Sequence, residues 1–171
     1  MSPLAVLTGP PGAGKTTVGT LLAESLAVGF RDTDADVEAV AGTTVAEIFF
    51  DKGEPAFREL EREAVAVALR EHDGVLAVGG GAVLDEQTRA ALRESGSPVV
   101  LLEVGISDAA TRVGFNRDRP LLLGNPRQQW QKLLAARLPV YVEVATHRVV
   151  TDGRTPAEVV DEVVQALGVT R

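Results

Sequence analysis

Two patterns of apolar residues alternate along the chain: short runs, and longer stretches with helical spacing. Five short segments predict strands at 4–8, 30–32, 75–78, 98–104 and 148–151. Helical spacing covers 15–27, 37–72 with breaks at Gly42 and Gly53, 85–94, 107–115 with Ser107 as its cap, 127–146, and a last stretch that opens at Thr155 and Pro156. Because helices separate mostly apolar strands, we predict an α/β fold with a parallel sheet covered by helices on both faces. No repeat or linker divides the chain, so one domain is expected over residues 1–171.

Composition and charge narrow the class of protein. The 171 residues are 45% hydrophobic and 24% charged, which is typical of a globular domain with a full core. The formal net charge of -7 disfavours nucleic acid and anionic membranes as partners. The chain has no cysteine, no secretion signal and no apolar run near the roughly 20 residues that a membrane helix needs. We therefore expect a cytoplasmic enzyme whose anionic ligands meet a local basic pocket.

The strongest motif is a phosphate-binding loop from Gly9 to Thr16, with the pattern Gly-x-x-x-x-Gly-Lys-Thr between a predicted strand and a predicted helix. Its glycines let backbone N–H groups turn inward, and the helix N-terminus adds a positive dipole end. We expect Lys15 to reach the outer phosphates of a nucleotide and the Thr16 hydroxyl to ligate Mg²⁺. The loop leaves the reaction open, because GTPases, ATPases and kinases all share it.

An acidic pair, Asp32 and Asp34, follows the second predicted strand. Ligands of parallel sheets bind beyond the carboxyl ends of the strands, so this pair and the phosphate loop should face one crevice. A carboxylate there can hold the water shell of a metal, or orient and deprotonate an attacking hydroxyl group. The alternative is that Thr33 or Asp34 only caps the next helix.

Three further features have both a structural and a functional interpretation. Arg58 has glutamates four residues before it and three after it, so it is either part of a solvated ion-pair stripe or an arginine aimed at an anionic substrate. Phe49 and Phe57 are either core residues or walls of a substrate pocket. The triple glycine at 79–81 is either a tight turn or a place where a ligand approaches the main chain.

A polar loop at residues 116–126 contains two prolines and a glycine. Arg112, Arg117 and Arg119 cluster around it, which suggests a lid that brings positive charge to a transferring phosphoryl group. The alternative is an ordinary polar loop. Spacing alone gives no role to two other arginines, Arg137 and Arg154, and two isolated histidines make no metal site.

Together these motifs resemble the shikimate kinase family, within the nucleoside-monophosphate-kinase-like P-loop fold. The resemblance covers nearly the whole chain and rests on segments 9–16, 32–34, 42–49, 53–61, 79–81, 119–122 and 137–141. The acidic pair, the Gly-Glu-x-x-Phe-Arg block and the triple glycine, in this order, are far more specific than a phosphate loop. The resemblance implies a three-layer P-loop kinase fold with a five-stranded parallel sheet, a helical substrate-binding insert at about 33–61 and a lid at about 112–124.

The reaction that this resemblance implies is transfer of the γ-phosphoryl group of ATP to the 3-hydroxyl group of shikimate, with Mg²⁺ as the metal. That step leads towards chorismate and the aromatic amino acids. Asp34 would hold the reacting hydroxyl group and act as its base, and Lys15 and Arg119 would stabilise charge on the transferred group. Thr16 would bind Mg²⁺ directly, and Asp32 would act through a metal-bound water.

The resemblance also implies two sets of ligand contacts. Arg58 and Arg137 would clamp the shikimate carboxylate with their forked donors. The remaining substrate contacts would come from Phe49, Phe57, Gly80 and Gly81. ATP would be held by Gly12, Ala13, Gly14, Lys15, Thr16, Thr17 and Arg119, with Arg112, Arg154 and Pro156 beside the adenine.

Other functions remain as alternatives to this one. A related P-loop kinase acting on gluconate would share the fold, but the acidic pair and the triple glycine favour shikimate. A nucleotide-dependent switch would need a guanine-reading motif, which the sequence lacks, and an inactive shikimate-binding module would have no need of Lys15 or Asp34. We expect a monomer, because the sequence has no obvious exposed apolar stripe.

Overall fold

A computed structural model of the chain describes residues 1–113 and 125–171. Within these ranges five strands form a parallel sheet in the order β2-β3-β1-β4-β5. The strands are β1 Ala5–Thr8, β2 Phe30–Asp32, β3 Val75–Ala77, β4 Val99–Glu103 and β5 His147–Val150. The predicted five-stranded parallel sheet is confirmed, and the phosphate loop follows its central strand.

Eight α-helices and one short 3₁₀ helix at Ala82–Leu84 accompany the sheet in the described ranges. The α-helices are α1 Lys15–Ser25, α2 Thr33–Ala41, α3 Val45–Lys52, α4 Glu54–Glu71, α5 Glu86–Ser95, α6 Ile106–Val113, α7 Pro126–Val144 and α8 Pro156–Leu167. None of the helices in the described ranges is long and apolar enough to span a membrane.

The sheet is the middle one of three layers. Successive residues of a strand face opposite sides of a sheet, so each strand contributes to two hydrophobic clusters. Leu7 packs with Leu22 of α1 and Val160 of α8, whereas Val6 packs with Val65 of α4. Helices α1 and α8 therefore cover one face, and α4 and α5 cover the other.

Helices α2, α3 and α4 form a compact insert between β2 and β3. Their contacts enclose a small cluster of buried residues, Val37, Ile48, Phe57 and Ala64. Gly42 and Gly53 end α2 and α3 with positive φ angles of 70° and 85°, as the predicted breaks at these glycines require. The insert includes the N-terminal half of α4, whose Arg58 and Glu61 lie against the triple glycine after β3.

The structure corrects the predicted start of α6. The helix begins at Ile106, and the carbonyl of Gly105 accepts the N–H of Ala109 at 3.0 Å, so Ser107 lies inside the first turn. The N–H of Gly105 donates to the Asp152 carboxylate at 2.8 Å. The predicted cap at Ser107 is wrong because a residue from a distant loop, after β5, fixes the start of the helix.

The start of α2 also differs from the prediction. The helix begins at Thr33 and not at residue 37, because the Asp32 carboxylate accepts the N–H of Asp34 at 2.9 Å and so caps the helix. The alternative that Thr33 or Asp34 is the cap is therefore wrong. Asp34 lies in the first helical turn, where its negative charge interacts favourably with the helix dipole.

Candidate active site

The carboxyl ends of the strands gather the candidate residues at one edge of the sheet. The phosphate loop follows β1, Asp32 ends β2, the triple glycine follows β3 and Thr151 follows β5. A cavity of about 620 Å³ opens at this edge. Its lining includes the phosphate loop from Pro11 to Thr17, both members of the acidic pair, and Gly80.

The phosphate loop has the backbone that anion binding requires. Gly12 and Gly14 have φ angles of 86° and 91°, which side-chain-bearing residues rarely adopt, and Gly14 is the N-cap of α1. The Lys15 ammonium group donates to the carbonyls of Gly9 at 2.7 Å and Pro10 at 3.2 Å. The lysine thus lies across the loop, next to the amide groups that cradle a phosphate.

Thr16 and Asp32 bring two oxygen ligands together from different elements. The Thr16 hydroxyl donates to Oδ2 of Asp32 at 3.2 Å, while Oδ1 of Asp32 is occupied by the cap of α2. In the described ranges, no group of three or more His, Cys, Asp or Glu side chains could hold a metal alone. Thr16 and Asp32 fit Mg²⁺, which prefers oxygen ligands and is commonly bound through one or two protein groups together with substrate phosphates.

The triple glycine makes room for charged side chains. A Cβ at Gly79 would lie 2.5 Å from the Glu61 carboxylate and 3.0 Å from Oδ1 of Asp34. A Cβ at Gly81 would lie 2.4 Å from the Arg58 guanidinium. The segment is a turn, in which the N–H of Ala82 donates to the carbonyl of Gly79 at 3.0 Å, and a larger residue there would displace these side chains. The approach of a ligand to this main chain stays a prediction.

Arg58 and Glu61 form a half-buried ion pair at this turn. Nη1 of Arg58 donates to Oε1 of Glu61 at 2.7 Å, and Nε lies 3.5 Å from Glu54. Burial raises the pKa of Glu61 above its ordinary value, although Arg58 opposes this shift, and Asp34 adds to it. The interpretation of Arg58 as a solvated ion-pair stripe is wrong, because its principal partner is 3% exposed.

Arg137 and Tyr141 approach the same turn from α7. Arg137 is 4% exposed, and a Cβ at Gly80 would lie 3.3 Å from its Nη1. The hydroxyl group of Tyr141 donates to the carbonyl of Gly80. Burial raises the pKa of the Tyr141 phenol, so the group stays a proton donor at neutral pH. Two arginines from different helices, Arg58 and Arg137, thus flank the triple glycine.

Arg112 connects the phosphate loop with the segment after β5. Its Nη1 donates to the carbonyl of Gly12 at 3.1 Å and to the hydroxyl of Thr151 at 2.9 Å, and its Nη2 donates to the Thr151 carbonyl at 3.0 Å. Arg154 and Pro156 line the cavity beside it, and Arg154 also pairs with Glu162.

The comparisons with known proteins agree with this geometry. The family model described as shikimate kinase matches residues 11–168. A shikimate kinase from Saccharopolyspora erythraea is 58% identical over 100% of this chain and 97% of its own length. Another, from Salinispora arenicola, is 59% identical over 98% of this chain and 99% of its own. The chain belongs to the shikimate kinase family.

The solved structures separate this family from its main alternative. A shikimate kinase from Acinetobacter baumannii in complex with shikimate has a TM-score of 0.92, with 34% identity over 98% of this chain and 93% of that chain. A gluconokinase from Sinorhizobium meliloti has a TM-score of 0.57 and 22% identity, over 96% of this chain and 90% of that chain. The second likeness shows a shared fold alone and gives gluconate no support.

Most of the predicted site residues of this family member fall into three groups. Those that line the cavity are Gly12, Ala13, Gly14, Lys15, Thr16, Thr17, Asp32, Asp34, Gly80, Arg112, Arg154 and Pro156. Arg58 and Arg137 flank the triple glycine, and Gly81 belongs to it, but none of these three residues lines the cavity. The predicted lid residues Arg117 and Arg119, and most of the proposed lid at 112–124, lie outside the described residues.

Neither phenylalanine is among the residues that line the cavity. Phe57 is buried in the core of the insert, Phe49 packs against it with the ring centroids 4.7 Å apart, and the Arg58 guanidinium lies 5.3 Å from the Phe57 centroid. The core interpretation of Phe57 is confirmed. Contact of either ring with substrate stays a prediction.

Sequence reasoning gave no role to three residues at the site, Trp130, Tyr141 and Thr151. Thr151 directly follows a strand, so the strand-end rule could have found it. Tyr141 lies four residues after Arg137 on a helix, which is a spacing that brings side chains together. Trp130 has no local signal, because its partner Pro11 is distant in the sequence.

Proposed function

We propose that this protein transfers the γ-phosphoryl group of ATP to the 3-hydroxyl group of shikimate, with Asp34 as the group that orients and deprotonates that hydroxyl. The observation that carries the proposal is the position of Asp34, which lines the cavity of the phosphate loop and also lies beside Gly79 at the turn flanked by the arginines. A carboxylate between a phosphate cradle and a basic acceptor site suits phosphoryl transfer to an anionic alcohol.

On the nucleotide side, the phosphate loop supplies backbone donors and Lys15 supplies a cation. Thr16 and Asp32 would hold Mg²⁺, which supplies positive charge to the phosphate oxygens when bound. Lys15 would exchange its carbonyl contacts for the γ-phosphate, and Arg119 would add charge from outside the described residues. Arg112, Arg154 and Pro156 would flank the adenine, since all three line the same cavity.

On the acceptor side, Arg58 and Arg137 would bind the shikimate carboxylate. Their guanidinium groups lie next to Gly81 and Gly80, so both can address one small anion at the turn. The main-chain N–H groups of Gly80 and Gly81 would add hydrogen bonds, and Phe49 and Phe57 would stiffen the arginine-bearing wall. Such contacts give orientation, which is the main requirement of phosphoryl transfer.

The role of Asp34 is tested by Asp34→Asn, with Asp36→Asn as the matched control on the same helix. Asp36 pairs with Arg31 at 2.7 Å and does not line the cavity. We expect single-turnover phosphorylation of shikimate to fall by roughly a hundredfold or more in Asp34→Asn, and to stay near normal in the control. A near-normal rate in Asp34→Asn would exclude it as the base.

We also propose that the protein acts as a cytoplasmic monomer and as one functional unit over residues 1–171. The site described above draws on a single chain, and the reaction consumes ATP, which the cytoplasm supplies. Sedimentation of the purified protein with and without its substrates tests the oligomeric state. A dimer at working concentrations would contradict this proposal and leave the reaction unaffected.

A further inference from the structure

Helix α7 carries two buried aromatic hydrogen-bond donors that reach the active-site loops. Nε1 of Trp130 donates to the carbonyl of Pro11 at 2.9 Å, and the hydroxyl of Tyr141 donates to the carbonyl of Gly80. The two residues are about three helical turns apart, so they lie on the same side of the helix. One side of one helix therefore contacts both the phosphate loop and the triple-glycine turn at 79–81, which we call the acceptor turn because shikimate is the proposed acceptor.

Both donors are held firmly by packing. Trp130 is 1% exposed and lies in the cluster that includes Ala109, whereas Tyr141 is 0% exposed and lies in the cluster on the other face of the sheet. A buried indole N–H or phenol that lost its partner would leave an unsatisfied polar group in the core, which is unfavourable. The two bonds are therefore persistent constraints on the loop carbonyls.

The two loops are themselves in contact. A Cβ at Gly80 would lie 3.4 Å from the carbonyl oxygen of Gly9 and 3.6 Å from Cδ of Pro11. The phosphate loop and the acceptor turn are therefore close together, and α7 contacts both of them. A shift of either loop would move the backbone donors that bind the ligand of that loop.

Because the peptide bond is planar, a hydrogen bond that fixes a carbonyl group also fixes the N–H group of the next residue. In a trans peptide the carbonyl and the next N–H lie in one plane and point in opposite directions. The bond from Trp130 to the Pro11 carbonyl therefore directs the N–H of Gly12 away from Trp130, and Gly12 lines the cavity. By the same argument, the bond from Tyr141 directs the N–H of Gly81 away from α7.

We infer that Trp130 and Tyr141 are positioning residues, which orient the Gly12 N–H towards nucleotide phosphate and the Gly81 N–H towards the acceptor. The inference rests on the proposed function for the identity of the two ligands. It assigns each aromatic residue to the binding of one ligand, Trp130 to the binding of ATP and Tyr141 to the binding of shikimate. Neither residue touches the reacting atoms.

Two conservative substitutions test this assignment. Trp130→Phe and Tyr141→Phe each keep an aromatic ring and remove the donor. We expect Trp130→Phe to raise the KM for ATP about five- to tenfold with the KM for shikimate nearly unchanged, and Tyr141→Phe to do the reverse. In both variants kcat at saturation should stay within about threefold of the parent value, because the donors act through binding geometry.

A third variant controls for loss of a side-chain to backbone hydrogen bond as such. The Thr146 hydroxyl donates to the Val99 carbonyl at 3.1 Å, at the opposite edge of the sheet, so Thr146→Val should lower the melting temperature without changing either KM. A second readout comes from Trp130, the sole tryptophan of the chain. Its fluorescence in the unchanged protein should respond to a non-hydrolysable ATP analogue and not to shikimate alone.

The outcomes separate the inference from the proposed function. The inference would be overturned if an aromatic variant changed both KM values equally, or changed them as little as Thr146→Val does. In either case an active parent enzyme would leave the proposed function intact. A folded parent protein that does not phosphorylate shikimate would overturn the proposed function. If either phenylalanine variant fails to fold, Trp130→His or Tyr141→Gln, each of which retains a donor, replaces it. Each should raise the KM of its own ligand only slightly and leave the other KM unchanged, and equal rises in both KM values would overturn the inference.

Discussion

The guanidinium of Arg58 lies 2.7 Å from the carboxylate of Glu61, one turn later on α4, and both groups press against the triple glycine. The glutamate is almost fully buried, whereas the arginine is partly exposed. Burial of the carboxylate outweighs the attraction of the arginine, so the pKa of Glu61 is raised. The ionised form of Glu61 is therefore less favourable in the folded protein than in the unfolded chain.

The raised pKa of Glu61 predicts a pH dependence of stability. The folded protein binds this proton more tightly than the unfolded chain, so the Glu61 contribution to the free energy of unfolding falls as pH rises from the ordinary glutamate pKa through the raised value. Urea unfolding of the parent and of Glu61→Gln across this pH range measures the contribution. The free energy of unfolding of the parent minus that of Glu61→Gln should shrink or change sign as pH rises. A difference that increases with pH would contradict the prediction.

Removing the Arg58 fork should weaken acceptor binding selectively. Arg58→Ala is expected to raise the KM for shikimate roughly ten- to a hundredfold and the KM for ATP by much less, because a charge-assisted bidentate contact is lost. Arg58→Lys, which keeps Glu61 paired with a cation, should show a smaller rise. Arg62→Ala is the control on the same helix, since Arg62 pairs with Asp85 and is not among the nearest neighbours of the triple glycine. Equal rises in the two KM values would argue against a carboxylate clamp.

A single substitution can separate the helix cap made by Asp32 from its proposed role at the metal. Asparagine caps helices as well as aspartate does, so Asp32→Asn should keep the cap of α2 and change the melting temperature little. The loss of charge should raise the Mg²⁺ concentration needed for half-maximal activity by about tenfold. Asp85→Asn, at the cap of α5, is the matched control and should leave the Mg²⁺ requirement unchanged. An unchanged requirement in Asp32→Asn would remove Asp32 from the metal site.

Thr8 offers a prediction about stability. Its hydroxyl is fully buried at the end of β1 and has no hydrogen-bond partner within the described part of the chain. Thr8→Val replaces that hydroxyl by a methyl group of similar size, so the free energy of unfolding should rise by about 1 kcal/mol. Thr146→Val, whose hydroxyl is bonded, should shift it by a similar amount in the opposite direction. Urea denaturation decides the sign for each, and a destabilised Thr8→Val would be inconsistent with an unpaired hydroxyl.

The sequence was informative wherever one segment determines its own structure. The phosphate loop between a strand and a helix, the glycine breaks at Gly42 and Gly53 and the triple glycine after β3 all carry local signals. The strand-end rule then brought Asp34 to the phosphate loop, as the cavity lining bears out. These features were predictable because backbone conformation and strand order act at short range or through a general topological rule.

What could not be predicted depends on contacts between distant segments. The start of α6 is set by Asp152, and the carbonyl of Pro11 is held by Trp130. The burial of Glu61 decides whether Arg58 belongs to a surface stripe or to a site, and spacing on a helix cannot reveal that burial. Each of these facts needs the packed tertiary structure, in which helices from one half of the chain cover loops from the other.

The most direct test of the account is ADP release by the purified protein with Mg-ATP and shikimate, gluconate or no acceptor. We predict rapid release that depends on shikimate, with a product phosphorylated at the 3-hydroxyl group, and only background release in the other two reactions. Release that gluconate supports equally well, or that needs no acceptor, would contradict shikimate as the substrate of this site.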